Sequence, residues 1–242
     1  MTDGRPRHEQ VAADLRARIM SGEFAPGSQL PSIPSLVTRY AAATATIQRA
    51  LGALKTEGSI YSEVGKGVFV RRRPSQVVTA SAYLTPGSSG YSYRLLDVSE
   101  TVPPPEVANG LSLGEDEKVV LRHRLLLQGG EPVEVSWSYY PSSLAAGTEL
   151  AERKKISGGA GGVLAELGLP QGQMIDRVSA RMPTPDEVEM LNLPPYVPVI
   201  RQHRVIYAAS GRPVEVSVLV KGSHLHELRY EQQLLSGPTS AT

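Results

Sequence analysis

Apolar residues return every three or four positions over roughly the first sixty residues, and then at every second position. Val11, Leu15 and Ile19 fall at i, i+4 and i+8, which predicts a helix over Glu9–Ser21 closed by Gly22. A loop punctuated by Pro26, Gly27 and Pro31 follows. Behind Ser32, a good N-cap, Ile33, Leu36, Val37 and Tyr40 resume helical spacing. The link Ala41–Ala43 is short and small, so the next helix has to turn away sharply. In that helix Ile47, Ala50, Leu51 and Leu54 make one apolar stripe. Ala45, Arg49 and Gly52 lie opposite, flanked by Thr46 and Gln48, and Gly58 ends the helix. Ser59–Glu63 and Val68–Arg72 can then pair across Val64–Gly67. Helix, tight turn, helix and a hairpin with a Gly-Lys-Gly tip predict a winged helix-turn-helix, with one helix for the DNA major groove and a wing beside it.

The pattern changes after Arg71-Arg72-Arg73-Pro74, which starts a linker. Ser81–Gly90 is rich in Ser, Gly and Pro without a period and reads as a loop or mobile segment. Alternation resumes over Tyr91–Thr101, Pro103-Pro104-Pro105 punctuates, and Glu106–Leu113 suits a short helix. An internal echo follows. Val119–Tyr140 and Val199–Val220 each carry a His-Arg pair, a Gly-containing turn and an identical Pro-Val-Glu-Val-Ser. Each reads as a β-hairpin, and two such hairpins most simply join one antiparallel sheet with pseudo-twofold symmetry. Between them Gly161–Leu167 suits a short helix and Met174–Met182 a strand. Thr184–Leu193 is a well-signalled helix, with Thr184 capping, Pro185 first, and Asp186 and Glu187 in the first turn. The fold class expected is α+β, with a largely antiparallel sheet and helices on its faces. The boundaries expected are a head over 1–73, a linker over 74–90 and a body over 91–242.

Charge sharpens this division. Residues 1–75 hold 11 Lys and Arg against 6 Asp and Glu, or +5; the remainder hold 14 against 18, or −4. A basic head on an acidic body assigns any polyanion to the head. The absence of cysteine excludes disulfides and thiolate zinc sites, which suits a reducing cytoplasm. No N-terminal apolar run and no stretch of about 18 apolar residues appears, so neither a signal peptide nor a membrane span is expected. His224 and His226 could ligate a metal from one strand, but the spacing reads more simply as polar surface, and no metal or cofactor is expected. Trp137 and Tyr139 read as sheet-face packing rather than as a base-stacking platform.

The motifs of the head also carry a resemblance. The run from Val11 to Ser32, VAADLRARIMSGEFAPGSQLPS, and that from Arg39 to Val70, with its Thr46-Ile47, Ala50-Leu51, Glu57-Gly58 and Gly-Lys-Gly-Val-Phe-Val, are similar to the DNA-binding domain of the GntR family of bacterial repressors. The family usually has Ser-Arg-x-Thr-Val-Arg where this chain has Ala43-Thr44-Ala45-Thr46-Ile47-Gln48, so Thr44 and Gln48 replace its two arginines. Arginine reads guanine and glutamine suits adenine, which implies a different operator. By the resemblance Gln48 reads a base, Thr44 and Thr46 anchor the helix end, and Arg49 and Lys66 hold phosphate or the minor groove. Ser32 and Gly67 complete the DNA-binding set.

The body resembles the UTRA effector domain of the HutC subfamily, whose fold is like chorismate lyase. The motifs are Arg122-His123-Arg124, Gly130-Glu131-Pro132-Val133, ARMPTPDEVEMLNLPP over 180–195, and Gly211–Val216. The resemblance implies a homodimer on a double-stranded DNA operator, released or retained by a small-molecule effector. It places Arg122 and Arg124, on one face by strand parity, against an anionic group, with Ser136 and Glu215 as polar contacts. Ser136 stands where sugar-phosphate-binding relatives often carry Glu. Two other readings stay open here: a DNA-binding protein whose body only dimerises, and an enzyme of lyase-like fold. Against the enzyme, no paired acid/base constellation is present, and fold does not carry function. The Pro- and Ala-rich, Arg-over-Lys composition suggests a GC-rich, actinomycete-like source, where some HutC-type repressors control plasmid-transfer genes.

Overall fold

Leu15, Leu36, Ile47 and Leu54 close on one another with no exposed surface, and they are the residues whose spacing set the three predicted helices. The computed structural model describes residues 3–71, 76–79, 91–195 and 197–230. In the head, α1 (Arg7–Met20), α2 (Ile33–Tyr40) and α3 (Thr44–Thr56) precede the hairpin of β1 (Ile60–Glu63) and β2 (Gly67–Val70). Ser32 caps α2 by accepting from the Ser35 N–H at 3.3 Å. The helices are also tied by polar bonds. Arg16 Nε donates to Glu57 at 2.9 Å, joining α1 to the end of α3, and Tyr40 donates to Asp14 at 2.5 Å, joining α2 to α1. Part of the stretch expected to be plain loop pairs with the wing: Gly27 and Leu30 donate to the carbonyls of Val70 and Val68, and Val70 donates to that of Ser28.

The body is one six-stranded sheet of order β4-β5-β6-β9-β8-β7, every described pair antiparallel. Its elements are β4 (Tyr91–Thr101), α4 (Pro105–Leu111), β5 (Val119–Gln128), β6 (Glu131–Pro141), α5 (Ser142–Ala145), α6 (Gly159–Glu166), β7 (Gln171–Arg181), α7 (Pro185–Leu191), β8 (Val199–Ala208) and β9 (Pro213–Gly222). The expected pseudo-twofold is present. Thr101 pairs with Val119 in one half and Arg181 with Val199 in the other, a displacement of 80 positions, and the halves meet where β6 pairs with β9. Gly129 and Gly130 both have positive φ, the backbone of a two-residue hairpin turn that twists with its strands.

Alternation along these strands gives the sheet two unlike faces. One carries Leu125, Val135, Tyr139, Val205, Val216, Val218 and Val220 under α4 and α7. The other carries polar residues at its centre, with Val120, Tyr140, Leu150, Leu164 and Ile206 packed toward α5 and α6 at its margin. Trp137 and Tyr139 pack into the apolar face as expected. Two short strands were not anticipated. Residues 76–79, inside the interval read as linker, form β3 (Gln76–Thr79), parallel to β10 (His226–Arg229). The loop expected at Ser81–Gly90 and the pair Arg72-Arg73 lie outside the described residues, Gly90 being the last of them before β4.

Candidate functional site

In the head the polar face of α3 stands clear. Thr44, Gln48 and Arg49 are exposed and Thr46 half-buried, while Ile47, Ala50, Leu51 and Leu54 are consumed by the core. Gln48 and Arg49 make no side-chain hydrogen bond or ion pair among the described residues, so their donors are free for another molecule. The sharp turn before α3 comes from Ala41, in the left-handed region at φ 46°. Gly67 adopts φ 124° at the wing tip, and a Cβ there would lie 2.5 Å from Gln29 Nε2, which donates to the Lys66 carbonyl at 2.6 Å. The tip backbone is thus held from below while Lys66 projects. Two features were missed in the sequence. Lys66 pairs with Glu63 at 3.0 Å, so part of its charge is met within the wing, and Tyr61 stacks on Phe69 with Arg71 over its ring. Cross-strand pairing of Tyr61 with Phe69 was the signal for the second.

In the body, Arg122, Arg124, Ser136 and Glu215 all reach the polar face of the sheet. Arg122 is 1 % exposed and already saturated: its guanidinium donates to the carbonyls of Glu149, Leu150, Glu152 and Lys154 at 3.2, 2.9, 2.8 and 2.6 Å. It holds the segment between α5 and α6 over the sheet. Arg124 is different. One Nη donates to Ser138, and Nε is buried with no partner. Ser138 and Ser217 share a hydrogen bond at 2.6 Å, and Ser217 donates to Glu215 at 2.6 Å. Ser136 is buried with its hydroxyl unmet, and Tyr140 lies beside Glu215. Burial, and then the Glu215 charge, push the Tyr140 hydroxyl far above its ordinary range.

The other half shows the same positions closed. The equivalents of Arg122 and Arg124 are Gln202 and Arg204. Asp176 lies between them, accepting from Arg204 Nε and Nη2 at 2.8 and 2.9 Å and from Gln202 at 2.6 Å. Beside it Lys221 meets Glu134 at 2.7 Å, both essentially unexposed. The position matching Asp176 is Leu96, which falls in the register shift between Leu95 and Asp97. Asp97 itself accepts from Ser99 and Arg153. The first half therefore supplies no carboxylate to Arg124. The family resemblance made the arginines and Glu215 legible in the sequence, but not the bulge that leaves one guanidinium incomplete.

No cluster of three metal-ligating side chains is present among the described residues; His226 Nδ1 lies 3.0 Å from the Gly222 carbonyl. No described helix is long and apolar enough to cross a membrane.

Comparison with known proteins agrees with this arrangement. Residues 7–70 match the model for bacterial regulatory proteins of the gntR family, and residues 88–223 match the UTRA domain. The chain is 30% identical over 235 residues to the HTH-type transcriptional regulator SCO4628 of Streptomyces coelicolor, covering 88% of this chain and 87% of that one. It is 26% identical to the HTH-type transcriptional repressor NagR of Bacillus subtilis, covering 87% and 88%. Among solved structures, a GntR-family regulator superposes with a TM-score of 0.63 at 22% identity, covering 96% of this chain and 99% of that one. PhnF of Mycobacterium smegmatis superposes with a TM-score of 0.57 at 17% identity, covering 92% and 99%. The chain therefore belongs to the GntR family, in its HutC-type form, as a transcriptional regulator with a UTRA effector-binding domain.

Proposed function

We propose that the chain is a cytoplasmic, dimeric repressor that grips a two-fold-related operator with its heads and is released by a small anionic effector bound at Arg124. The head runs to residue 73, residues 74–90 connect, and residues 91–242 bind the effector and dimerise. Gln48 reads a base, Thr44, Thr46 and Ser32 seat the helix ends, and Arg49 and Lys66 meet the backbone beside Gly67. A dimer is the economical partner for a dyad operator, since two heads double the contacts.

The observation that carries the effector reading is the Arg124 Nε, buried with no hydrogen-bond partner while one Nη is spent on Ser138. Its counterpart Arg204 is completed by Asp176, so an internal carboxylate occupies what a ligand anion would occupy at Arg124. Ser138, Ser217, Glu215 and the open hydroxyl of Ser136 then offer polar contacts to the rest of the ligand. Arg122 does not contact it; it positions the segment above. That same saturation of Arg122 favours the second reading, a body that only dimerises. The experiment is selection of bound duplexes from random DNA, followed by thermal shift and operator release against a panel of metabolite anions. An enriched dyad motif, and an anion that raises stability by about 2.7 kcal/mol at 100 times its Kd, are expected. A dyad with no stabilising anion would leave dimerisation alone, and no enriched motif would overturn the whole reading.

A further inference from the structure

The helical side of the sheet breaks the symmetry between the halves, and the break leaves a cleft. α4 packs across β9, and its Gly110 faces the strands: a Cβ there would lie 2.8 Å from Val216 Cγ2, 3.4 Å from Val205 Cγ2 and 3.6 Å from His203 Cε1. The absent side chain lets α4 settle on the sheet, and His203 is buried beneath it. In the other half, by the 80-residue displacement and the hairpin register, Met190 takes the place of Gly110, and Trp137 that of Val218 beside His123. Two large side chains stand where the other half has two small ones. An opening of about 600 Å³ remains, with His123 and Trp137 as its floor and Thr184, Asp186, Glu189 and Met190 around it.

Its chemistry is specific. The His123 and Trp137 rings stack at 4.9 Å and 13°, and His123 Nε2 is buried with no hydrogen-bond partner. Burial holds His123 below its ordinary pKa, so at neutral pH the floor is uncharged π surface. The third acid at the opening, Glu187, is neutralised by Arg181 at 2.7 and 2.6 Å. Asp186 and Glu189 are exposed without an ion-pair partner among the described residues, and no basic side chain lines the opening. An aromatic floor under two uncompensated carboxylates attracts a cation and repels an anion.

We propose that this cleft is a second ligand site, for a small organic cation seated on the His123–Trp137 surface between Asp186 and Glu189. It is distinct from the face that holds Arg124, because His123 and Trp137 alternate with Arg124 and Ser138 on the same strands and point the other way. It stands whether or not that face takes an effector.

Trp137 is the chain's single tryptophan, so one indole resonance reports on the cleft. The full-length protein labelled with ¹⁵N-tryptophan is titrated with benzyltrimethylammonium, and in parallel with benzyl alcohol and benzoate. A saturable shift of the indole N–H with half-saturation at or below about 1 mM is expected for the cation alone. The double variant D186N/E189Q, altered only at exposed positions, should weaken it about tenfold, and Arg124→Ala should leave it unchanged. Absence of a saturable shift, an equal response to benzyl alcohol or to benzoate, or indifference to the double variant would overturn the proposal.

Discussion

Arg122, Arg124 and Arg204 are chemically identical, and their surroundings give them three different tasks. Arg122 saturates four carbonyls, Arg204 is completed by Asp176, and Arg124 keeps Nε unmet. Removing Arg122 strands buried carbonyls, whereas removing Arg124 strands little. Arg122→Ala should therefore lose about 3–5 kcal/mol of stability, and Arg124→Ala less than about 1 kcal/mol, by urea denaturation. In the head, Gln48→Ala should relax operator preference by about 1–3 kcal/mol at one base position, read by competition against systematically varied duplexes. Protonation also acts at single residues. Burial holds His123, His203 and His226 below the ordinary value of 6.5, with nearby Arg177 adding to the effect at His203 and Lys221 at His226. The unfolded chain then binds protons that the folded chain refuses. Stability should be full above pH 6.5 and fall as pH drops from 6.5 toward the lowered folded values, and Tm measured between pH 7.5 and 5 checks this.

At the scale of elements, capping and turn chemistry explain why the helices begin and end where they do. α7 carries a full capping box: Thr184 accepts from the Glu187 N–H, and Glu187 accepts from the Thr184 N–H at 2.8 Å and from Arg181. Burial pushes the Glu187 carboxyl up, but Arg181 and the Thr184 N–H outweigh it and hold it below its ordinary 4.5. Its contribution is present above 4.5 and lost as pH falls through the lower folded value. This helix was fully legible, because Thr-Pro-Asp-Glu states its own start. Ala41 is the opposite case: an exposed, non-glycine residue in the left-handed region that nothing in its sequence neighbourhood announces. Ala41→Gly should stabilise the head by about 0.5–1 kcal/mol, read as a rise in Tm. The hairpins were legible from repetition and alternation, and so was their pseudo-twofold. Strand β3 was not, since four residues between polar segments carry too short a pattern to separate from loop. The bulge at Leu96 and the opening beneath α7 were equally hidden, because both depend on what packs opposite rather than on local order.

For the whole molecule, charge assigns the partners. The head, at +5, holds a free polar helix face, and the body, at −4, holds buried polar clusters. The two ends have to communicate for a regulator to respond, with the proposed input at Arg124 and the proposed output at α3 and the wing. The most direct test is the affinity of the full-length protein for its selected operator, by fluorescence anisotropy, as the stabilising anion is added to wild type and to Arg124→Ala. Affinities should be equal without the anion, fall about tenfold or more in wild type when it is added, and stay unchanged in Arg124→Ala. An operator affinity that ignores the anion in wild type, or falls equally in both proteins, would contradict the proposed input at Arg124.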